Sequence, residues 1–160
     1  MLHRSFVLSL PFVIFFFSSL AWLAGCQSTP PKYPEDHARF ERIVKAVSVL
    51  ESAYKTKDLA ALQDLMLPVE VLDRTQLDMQ KDFATFSDIS LAMTIERITI
   101  RGGHATVNIR WEGEWKQGAD PVGLISHGHG ELIWSGNQVV LLSGVGGDLP
   151  FGMTSRLKAS

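Results

Sequence analysis

Apolar residues recur at steps of three and four in the segment that follows residue 36. Within residues 37–58, the apolar residues that follow these steps are Phe40, Ile43, Val47, Leu50 and Tyr54. Because side chains three and four residues apart lie on one face of a helix, this spacing predicts an amphipathic helix. The polar residues between them, such as Lys45 and Ser48, are expected to face water.

Two shorter helices are predicted next. Asp58 stands where its side chain can cap a helix over residues 59–67, and Pro68 marks the end of that helix. A third helix is predicted over residues 74–87. The apolar contacts expected of these two helices are Leu59, Leu62 and Leu65, and Leu77, Phe83 and Phe86.

The hydrophobic period changes to two beyond Asp88, which predicts β-strands. Gly102 and Gly103 are expected to turn the first strand into the second. The predicted strands cover residues 89–100, 104–115, 124–134 and 139–147. Helices followed by a run of antiparallel strands predict an α+β fold, with the helices packed on one face of a strongly curved sheet.

The first residues of the chain have a different pattern. Arg4 supplies a positive charge, and an apolar run follows over residues 6–23. A short basic start, an apolar core and small residues at its end are typical of an export signal. About 18 apolar residues are also just enough to span a bilayer, so the residues that close the run decide between the two interpretations.

The run closes with the sequence L-A-G-C at residues 23–26, which resembles the lipobox of bacterial lipoproteins. The resemblance implies that residues 1–25 are a signal peptide that is removed before Cys26. It also implies that the Cys26 thiol takes a diacylglyceryl group and that the new amino group takes an acyl chain such as palmitate. Two or three acyl chains make a stable membrane anchor, whereas one holds only marginally.

The residues after Cys26 indicate where the anchor places the protein. Gln27 follows the cysteine, whereas an aspartate in that place resembles an inner-membrane retention signal. We therefore expect the outer membrane, with the domain facing the periplasm. Residues 26–35 are rich in proline and lack apolar periodicity, which predicts a semi-extended tether.

The overall composition excludes some functions. The formal net charge is −2, whereas nucleic-acid binding domains usually carry a clustered excess of Lys and Arg. Cys26 is the single cysteine, so its lipidation would leave no thiol for a disulfide. The fold must then rest on packing alone.

Three stretches of the chain carry a further resemblance: AYKTKDLAAL, ITIRGGHATVNIRW and GELIWSGNQVVLLSGVGGDLPFG. In this order they are similar to the NTF2-like superfamily, which includes the SnoaL-like and ketosteroid-isomerase-like α+β cones. The resemblance covers residues 36–152 and leaves 153–160 as a frayed tail. It implies a long first helix in the mouth of a bent sheet, a cavity between the two, and frequent homodimers. It does not imply a reaction, because this fold carries isomerases, dehydratases and modules without chemistry.

The sharpest local pattern is SHGHGE. His127, His129 and Glu131 alternate along one predicted strand, so their side chains project from the same face at steps of about 6.6 Å. Such a set could hold zinc or another divalent ion. The structural alternative is that Gly128 and Gly130, on the opposite face, give room for a packed helix or a bend of the sheet.

Acid/base chemistry in the cone is a second candidate. NTF2-like enzymes transfer protons with carboxylate, histidine or tyrosine side chains in an apolar pocket. The residues of suitable type are Tyr54, Asp88, Glu96, His104, His127 and Glu131. Among them Tyr54 falls on the apolar stripe of the first helix, so a core position is the alternative, and His104 follows a turn and is expected to be exposed.

A binding surface is a third candidate. The predicted domain is small and holds several tryptophans, Trp111, Trp115 and Trp134. Tryptophan is enriched in binding hot spots. Core packing is the expected role of Trp111. Trp115 lies near the end of its strand, where a dimer face or a ligand rim is an alternative to the core.

These patterns together predict an exported, membrane-anchored lipoprotein whose domain binds a small apolar ligand or a protein partner without catalysis. An acid/base enzyme of the isomerase or dehydratase type is the alternative, and metal binding through His127, His129 and Glu131 is a third function. No cofactor is expected, because no complete catalytic set can be assembled role by role.

Overall fold

The computed structural model describes residues 34–118 and 123–158. The chain divides into two units, Met1–Pro34 and Glu35–Ser160, and apart from Pro34, the first residue of α1, the elements given below belong to the second. The predicted signal peptide, the lipobox with Cys26 and most of the tether lie outside the described residues. Within the described ranges, no helix is both long enough and apolar enough to cross a membrane.

Three helices come first, as the hydrophobic pattern predicts. They are α1 (Pro34–Lys55), α2 (Leu59–Leu65) and α3 (Glu70–Thr85). Asp58 caps α2 as predicted, because its side chain accepts a hydrogen bond of 3.0 Å from the Ala61 amide. Helix α3 begins four residues earlier than the predicted third helix.

The buried face of α1 differs from the predicted one at its first position. Ile43, Leu50 and Tyr54 are fully buried as expected, but Phe40 is 44% exposed. Arg39 is buried in its place, since it continues the steps of three and four that lead down the helix. Apolarity alone favours Phe40, whereas the helix geometry places Arg39 on the side that faces the sheet.

The same difference occurs in α3. Leu77 is 54% exposed, so its predicted core role is wrong, while Asp82 is completely buried. The buried positions of the helix are Leu72, Thr75, Met79 and Asp82. These are steps of three and four, so α3 turns an aspartate toward the interior and a leucine toward water.

The four strands form one antiparallel sheet in the order β1-β2-β3-β4. Their bounds are β1 (Asp88–Arg101), β2 (His104–Lys116), β3 (Leu124–Ser135) and β4 (Leu141–Gly147). Each strand pairs with the next along the chain, which is the arrangement that short turns between strands allow. The predicted α+β class, with helices preceding an antiparallel sheet, is confirmed.

The strand register decides which residues face the helices. Trp111 pairs with Gly128, and Ile109 pairs with Gly130. Trp111 and Ile109 are buried, so the face they share is the inner face of the sheet. The residues that alternate with them on β2 and β3 project from the opposite side, which we call the outer face.

The C-terminal segment is part of the core. A short helix, α4 (Met153–Leu157), follows the last strand, and Met153 is completely buried. The prediction of a frayed tail over residues 153–160 is therefore wrong for the described part. The segment carries few apolar residues, so its pattern did not reveal that its backbone is held by partners elsewhere in the chain.

Glycines on the inner face make room for this segment. A Cβ atom added at Gly128 would lie 2.2 Å from Asp148 Oδ2, and one at Gly130 would lie 2.9 Å from the Asp148 backbone oxygen. The glycines thus give room for packing, as the alternative interpretation expected, but what packs there is not a helix. It is the non-helical segment that leads from β4 to α4.

Candidate functional site

A polar network lies within the apolar interior. Tyr54, on the buried face of α1, donates a hydrogen bond of 2.7 Å to Asp82 Oδ2. Trp115, on the inner face of β2, donates from its indole Nε1 to the Tyr54 hydroxyl at 3.1 Å. Both rings are buried, at 0% and 1% exposed. Elements that are distant in sequence therefore bring three polar groups together at the centre of the molecule.

Asp82 is the hub of this network. Besides the Tyr54 hydroxyl, its carboxylate accepts hydrogen bonds from the backbone amides of Gly152 at 2.7 Å, Met153 at 3.1 Å and Thr154 at 2.8 Å. The Thr154 hydroxyl also donates to it, at 2.8 Å. Gly152, the N-cap residue of α4, has no side chain with which to cap that helix. Asp82 therefore supplies the cap from α3.

Sequence reasoning missed Asp82, although one signal was present. The residue follows Leu72 and Met79 at helical steps along the buried face of α3. A carboxylate on such a face is rare unless it is paired. That combination of position and residue type could have singled it out.

The environment of Tyr54 keeps its hydroxyl protonated. Burial, and secondly the neighbouring Asp82 carboxylate, raise the pKa of Tyr54 far above its ordinary value. The phenol is thus a hydrogen-bond donor at neutral pH and is unsuited to act as a base.

The histidine pattern lies elsewhere. His127 and His129 are both exposed and project from the outer face of β3, and Glu131 shares that face. His129 Nδ1 lies 3.3 Å from Glu96 Oε2 of β1. These side chains therefore do not meet Tyr54 or Asp82 in the interior.

The outer-face residues are not arranged as a metal site. Over residues 34–118 and 123–158, no three His, Cys, Asp or Glu side chains are grouped closely enough to hold a metal ion. A straight strand spaces His127, His129 and Glu131 along its length, whereas a tetrahedral site needs ligands that converge on one point.

The remaining acid/base candidates are also at the surface. Asp88, Glu96 and His104 are exposed, as was expected for His104. The His104 Nδ1 atom lies 2.9 Å from the Ser135 hydroxyl. Of the acid/base candidates considered from the sequence, only Tyr54 lies within the interior network.

All three tryptophans considered as binding residues are in the core. Trp111, Trp115 and Trp134 are each at most 1% exposed. Trp111 and Trp115 meet edge to face, with ring centroids 6.1 Å apart. The rim position considered for Trp115 is not observed, because its ring is buried in the core, and Trp134 is buried there as well.

Two cavities lie outside this core. One of about 370 Å³ is found between the start of α1, the β1–β2 turn and the β3–β4 turn. Its described lining residues are Glu35, Asp36, Arg39, Arg42, Gly102, Asn137 and Gln138. A second, of about 220 Å³, lies on the outer face and is lined by residues of β1, β2 and β3 that include Arg97, Arg101 and Glu131.

Comparison with known proteins identifies the fold. No family model and no curated protein matches the sequence, but solved structures do. A conserved protein from Planctomyces limnophilus is similar with a TM-score of 0.59 at 16% identity, over 68% of this chain and 94% of that one. An NTF2-like superfamily protein from Salmonella enterica is similar with a TM-score of 0.59 at 11% identity, over 71% of this chain and 94% of that one.

A third similar structure is named as a dehydratase candidate of the NTF2-like family from Streptomyces avermitilis. Its TM-score is 0.55 at 12% identity, over 71% of this chain and 99% of that one. At these identities the likeness shows the fold alone. The predicted NTF2-like α+β fold is thereby confirmed, and it is a fold of ligand-binding and enzyme-like cone domains.

Proposed function

We propose that this chain is an exported bacterial lipoprotein, anchored in the outer membrane through Cys26 and facing the periplasm. We further propose that its NTF2-like domain is a non-catalytic binding module. On this proposal the ligand or protein partner is recognised outside the packed interior of the cone.

The hydrogen bonding of Asp82 is the main support for a non-catalytic interior. A general base needs a lone pair within reach of the substrate proton. The Asp82 carboxylate accepts five hydrogen bonds, from Tyr54, Gly152, Met153 and twice from Thr154. Each of its oxygens therefore already holds a structural element in place.

The packing around Tyr54 supports recognition outside the interior. The Tyr54 ring centroid lies 5.0 Å from that of Phe151 and 5.4 Å from that of Phe83. Phe151 belongs to the C-terminal segment, which fills the space between α1 and the inner face of β3. The described residues that line the two cavities lie outside the apolar core.

The start of the chain supports the anchor. The apolar run of residues 6–23 ends in L-A-G-C, and a proline-rich stretch separates Cys26 from the start of α1 at Pro34. Polypeptide of that length and composition is extended enough to hold a folded domain clear of lipid headgroups.

The anchor is tested by expressing the chain and two variants in a bacterium with two membranes. We expect the unaltered chain to sediment with outer-membrane vesicles and to yield an N-terminal peptide that begins at a lipidated Cys26. Cys26→Ser should remain as uncleaved precursor or as soluble protein, because the acyl acceptor is gone. Ser28→Ala, a change two residues away, is the control and should be processed normally. Normal processing and membrane attachment of Cys26→Ser would show that the chain is not a lipoprotein.

A further inference from the structure

Arg39 is a buried cation, and among the described residues two of its three side-chain nitrogens have no hydrogen-bond partner. The residue is 6% exposed, because it continues the buried face of α1 toward the start of the helix. Its Nη1 atom donates to the backbone oxygen of Gly102 in the β1–β2 turn, at 2.5 Å. Within the described part of the chain, Nε and Nη2 have no hydrogen-bond partner.

An unpaired buried guanidinium is unfavourable. Removing a charge from water carries a large desolvation cost, which a protein usually offsets with an opposite charge or with hydrogen bonds to every donor. The single bond to Gly102 leaves most of that cost uncompensated. The arrangement is therefore better suited to a state in which a further acceptor is present.

The space for such an acceptor lies beside Arg39. The cavity of about 370 Å³ is lined by Arg39 together with Arg42 of α1 and Asn137 of the β3–β4 turn. Arg42 is held at the rim, because its Nε donates to the Asn137 backbone oxygen at 3.0 Å. A volume near the lower end of the range for ligand pockets suits a small molecule.

We propose that this cavity binds a small carboxylic acid, whose carboxylate pairs with Nε and Nη2 of Arg39. These two nitrogens form one edge of the guanidinium, where two parallel N–H groups match the two oxygens of a carboxylate. Both nitrogens are buried, so the acid reaches them only after side chains at the rim of the cavity shift. Glu35 and Asp36 lie at that rim, and both are exposed.

The charges of the cavity favour a carboxylate over a phosphate. Two arginines and two acids line it, Arg39 and Arg42 against Glu35 and Asp36. The lining is thus formally neutral, so a singly charged carboxylate meets less repulsion than a doubly charged phosphate. The amide side chains of Asn137 and Gln138 offer neutral donors and acceptors for the rest of the molecule.

An internal partner is the competing explanation. Glu35 precedes Arg39 by four residues, the spacing at which a glutamate and an arginine on a helix can pair. The described ion pairs include none between them, but a rotation of the Glu35 side chain could bring them together in solution. The experiment must therefore separate an added carboxylate from that of Glu35.

We would follow the arginine Nε–H signals of the purified protein by proton–nitrogen NMR during titration with sodium acetate. Sodium chloride and sodium phosphate at equal ionic strength are run in parallel. Acetate should shift the Arg39 signal saturably, chloride should leave it unchanged, and phosphate should shift it only at higher concentration. Arg39→Lys keeps the charge but lacks the two parallel N–H groups of the guanidinium. The loss of a signal in this variant assigns that signal to Arg39, and the variant should also abolish the acetate response of the Gly102 amide. Arg110→Lys, on the exposed part of β2, should leave that response intact.

Three results would overturn the proposal: an equal response to acetate and chloride, a stronger response to phosphate than to acetate, or no response. Glu35→Gln provides the remaining test. If the Glu35 carboxylate pairs with Nε and Nη2 of Arg39, this variant will move the Arg39 signal before any acetate is added. The cavity then needs no external acid. If Arg39→Lys fails to fold, the Arg39 Nε–H and Gly102 amide signals are assigned in the unaltered chain by triple-resonance NMR, and its titration then decides the matter. This inference rests on the proposed binding function and names a ligand class for it. A negative result would leave the anchor and the packed interior unaffected.

Discussion

A single carboxylate fixes the position of three segments of this protein. Asp82 links the Tyr54 hydroxyl of α1, its own helix α3 and the amides at the start of α4. Hydrogen bonds to a charged acceptor are stronger than neutral ones, each contributing about 1.5–3 kcal/mol. Loss of the carboxylate would also leave several buried amides without an acceptor. The hydrogen bonds of Tyr54 and Asp82 therefore have a structural role.

The raised pKa of Tyr54 leads to a prediction about alkaline pH. Tyr33 and Tyr54 are the two tyrosines of the chain, so Tyr33→Phe leaves Tyr54 as the single phenol. Because burial and Asp82 raise its pKa, we expect no phenolate absorbance near pH 10 while this variant stays folded. The absorbance should rise only when the protein unfolds.

The same shift makes stability depend on pH. The unfolded phenol ionises near pH 10, whereas the folded one stays protonated, so the contribution is fully present below pH 10 and is lost as the pH rises above it. Tyr54 alone should lower the free energy of unfolding by about 1.4 kcal/mol per pH unit in that range. Tyr54→Phe, measured by urea unfolding, should show a correspondingly shallower decline. Ionisation near pH 10 with the fold intact would show that Tyr54 is accessible to water.

At the scale of elements, the chain from Asp148 to the start of α4 lies across the inner face of β3, and we call this segment the strap. Trp111 Nε1 donates to the Asp148 backbone oxygen at 2.8 Å. Arg156 donates to the Leu149 oxygen at 2.8 Å and lies 5.6 Å above the centroid of the Trp111 ring. The strap is thus held at both ends, by Trp111 near Asp148 and by Asp82 at the start of α4.

The close approach of the strap to β3 can be tested with two glycines. Gly130→Ala should destabilise the fold by about 1–3 kcal/mol, since the new methyl group would press on the Asp148 backbone and force the strap to move. Gly146→Ala is the matched control in β4. A Cβ atom there would meet only Glu131 Cβ, at an ordinary distance of 3.9 Å. Urea unfolding of both variants is the measurement, and an equal cost for the two would mean that the strap does not rest on β3.

Hydrophobic periodicity predicted the elements of this fold but not its buried polar residues. Steps of three and four placed α1 and α2, and alternation placed the strands. Arg39 and Asp82 were missed because their partners, Gly102 and residues 152–154, are more than sixty positions away in the chain. The burial of α4 was missed for the same reason.

The face of β3 that carries the histidines was also beyond prediction. Ile125 and Ile133 share the side of His127, while Leu132 and Trp134 share the other. Both faces of this strand are therefore apolar enough to be the inner one. Pairing with β2 decides between them, since Gly128 opposite Trp111 leaves room for the strap.

At the scale of the whole molecule, the segment after β4 packs into the core. It includes Phe151 and Met153, at 7% and 0% exposed. The resemblance to NTF2-like proteins implied a cavity between the first helix and the sheet, whereas the Phe151 ring here packs against Tyr54 of α1.

The filled interior predicts the outcome of a mass measurement. The purified protein should carry no apolar small molecule beyond the acyl groups proposed for Cys26, because the strap and the aromatic side chains pack in the interior. Native mass spectrometry against the denatured mass is the measurement, and the same spectrum gives the oligomeric state and so tests the homodimer that the resemblance implies. A polar acid released on denaturation would agree with the Arg39 cavity. An apolar molecule released in its place would mean that the strap opens in solution, and binding of an apolar ligand in the cone would then become the better account of function.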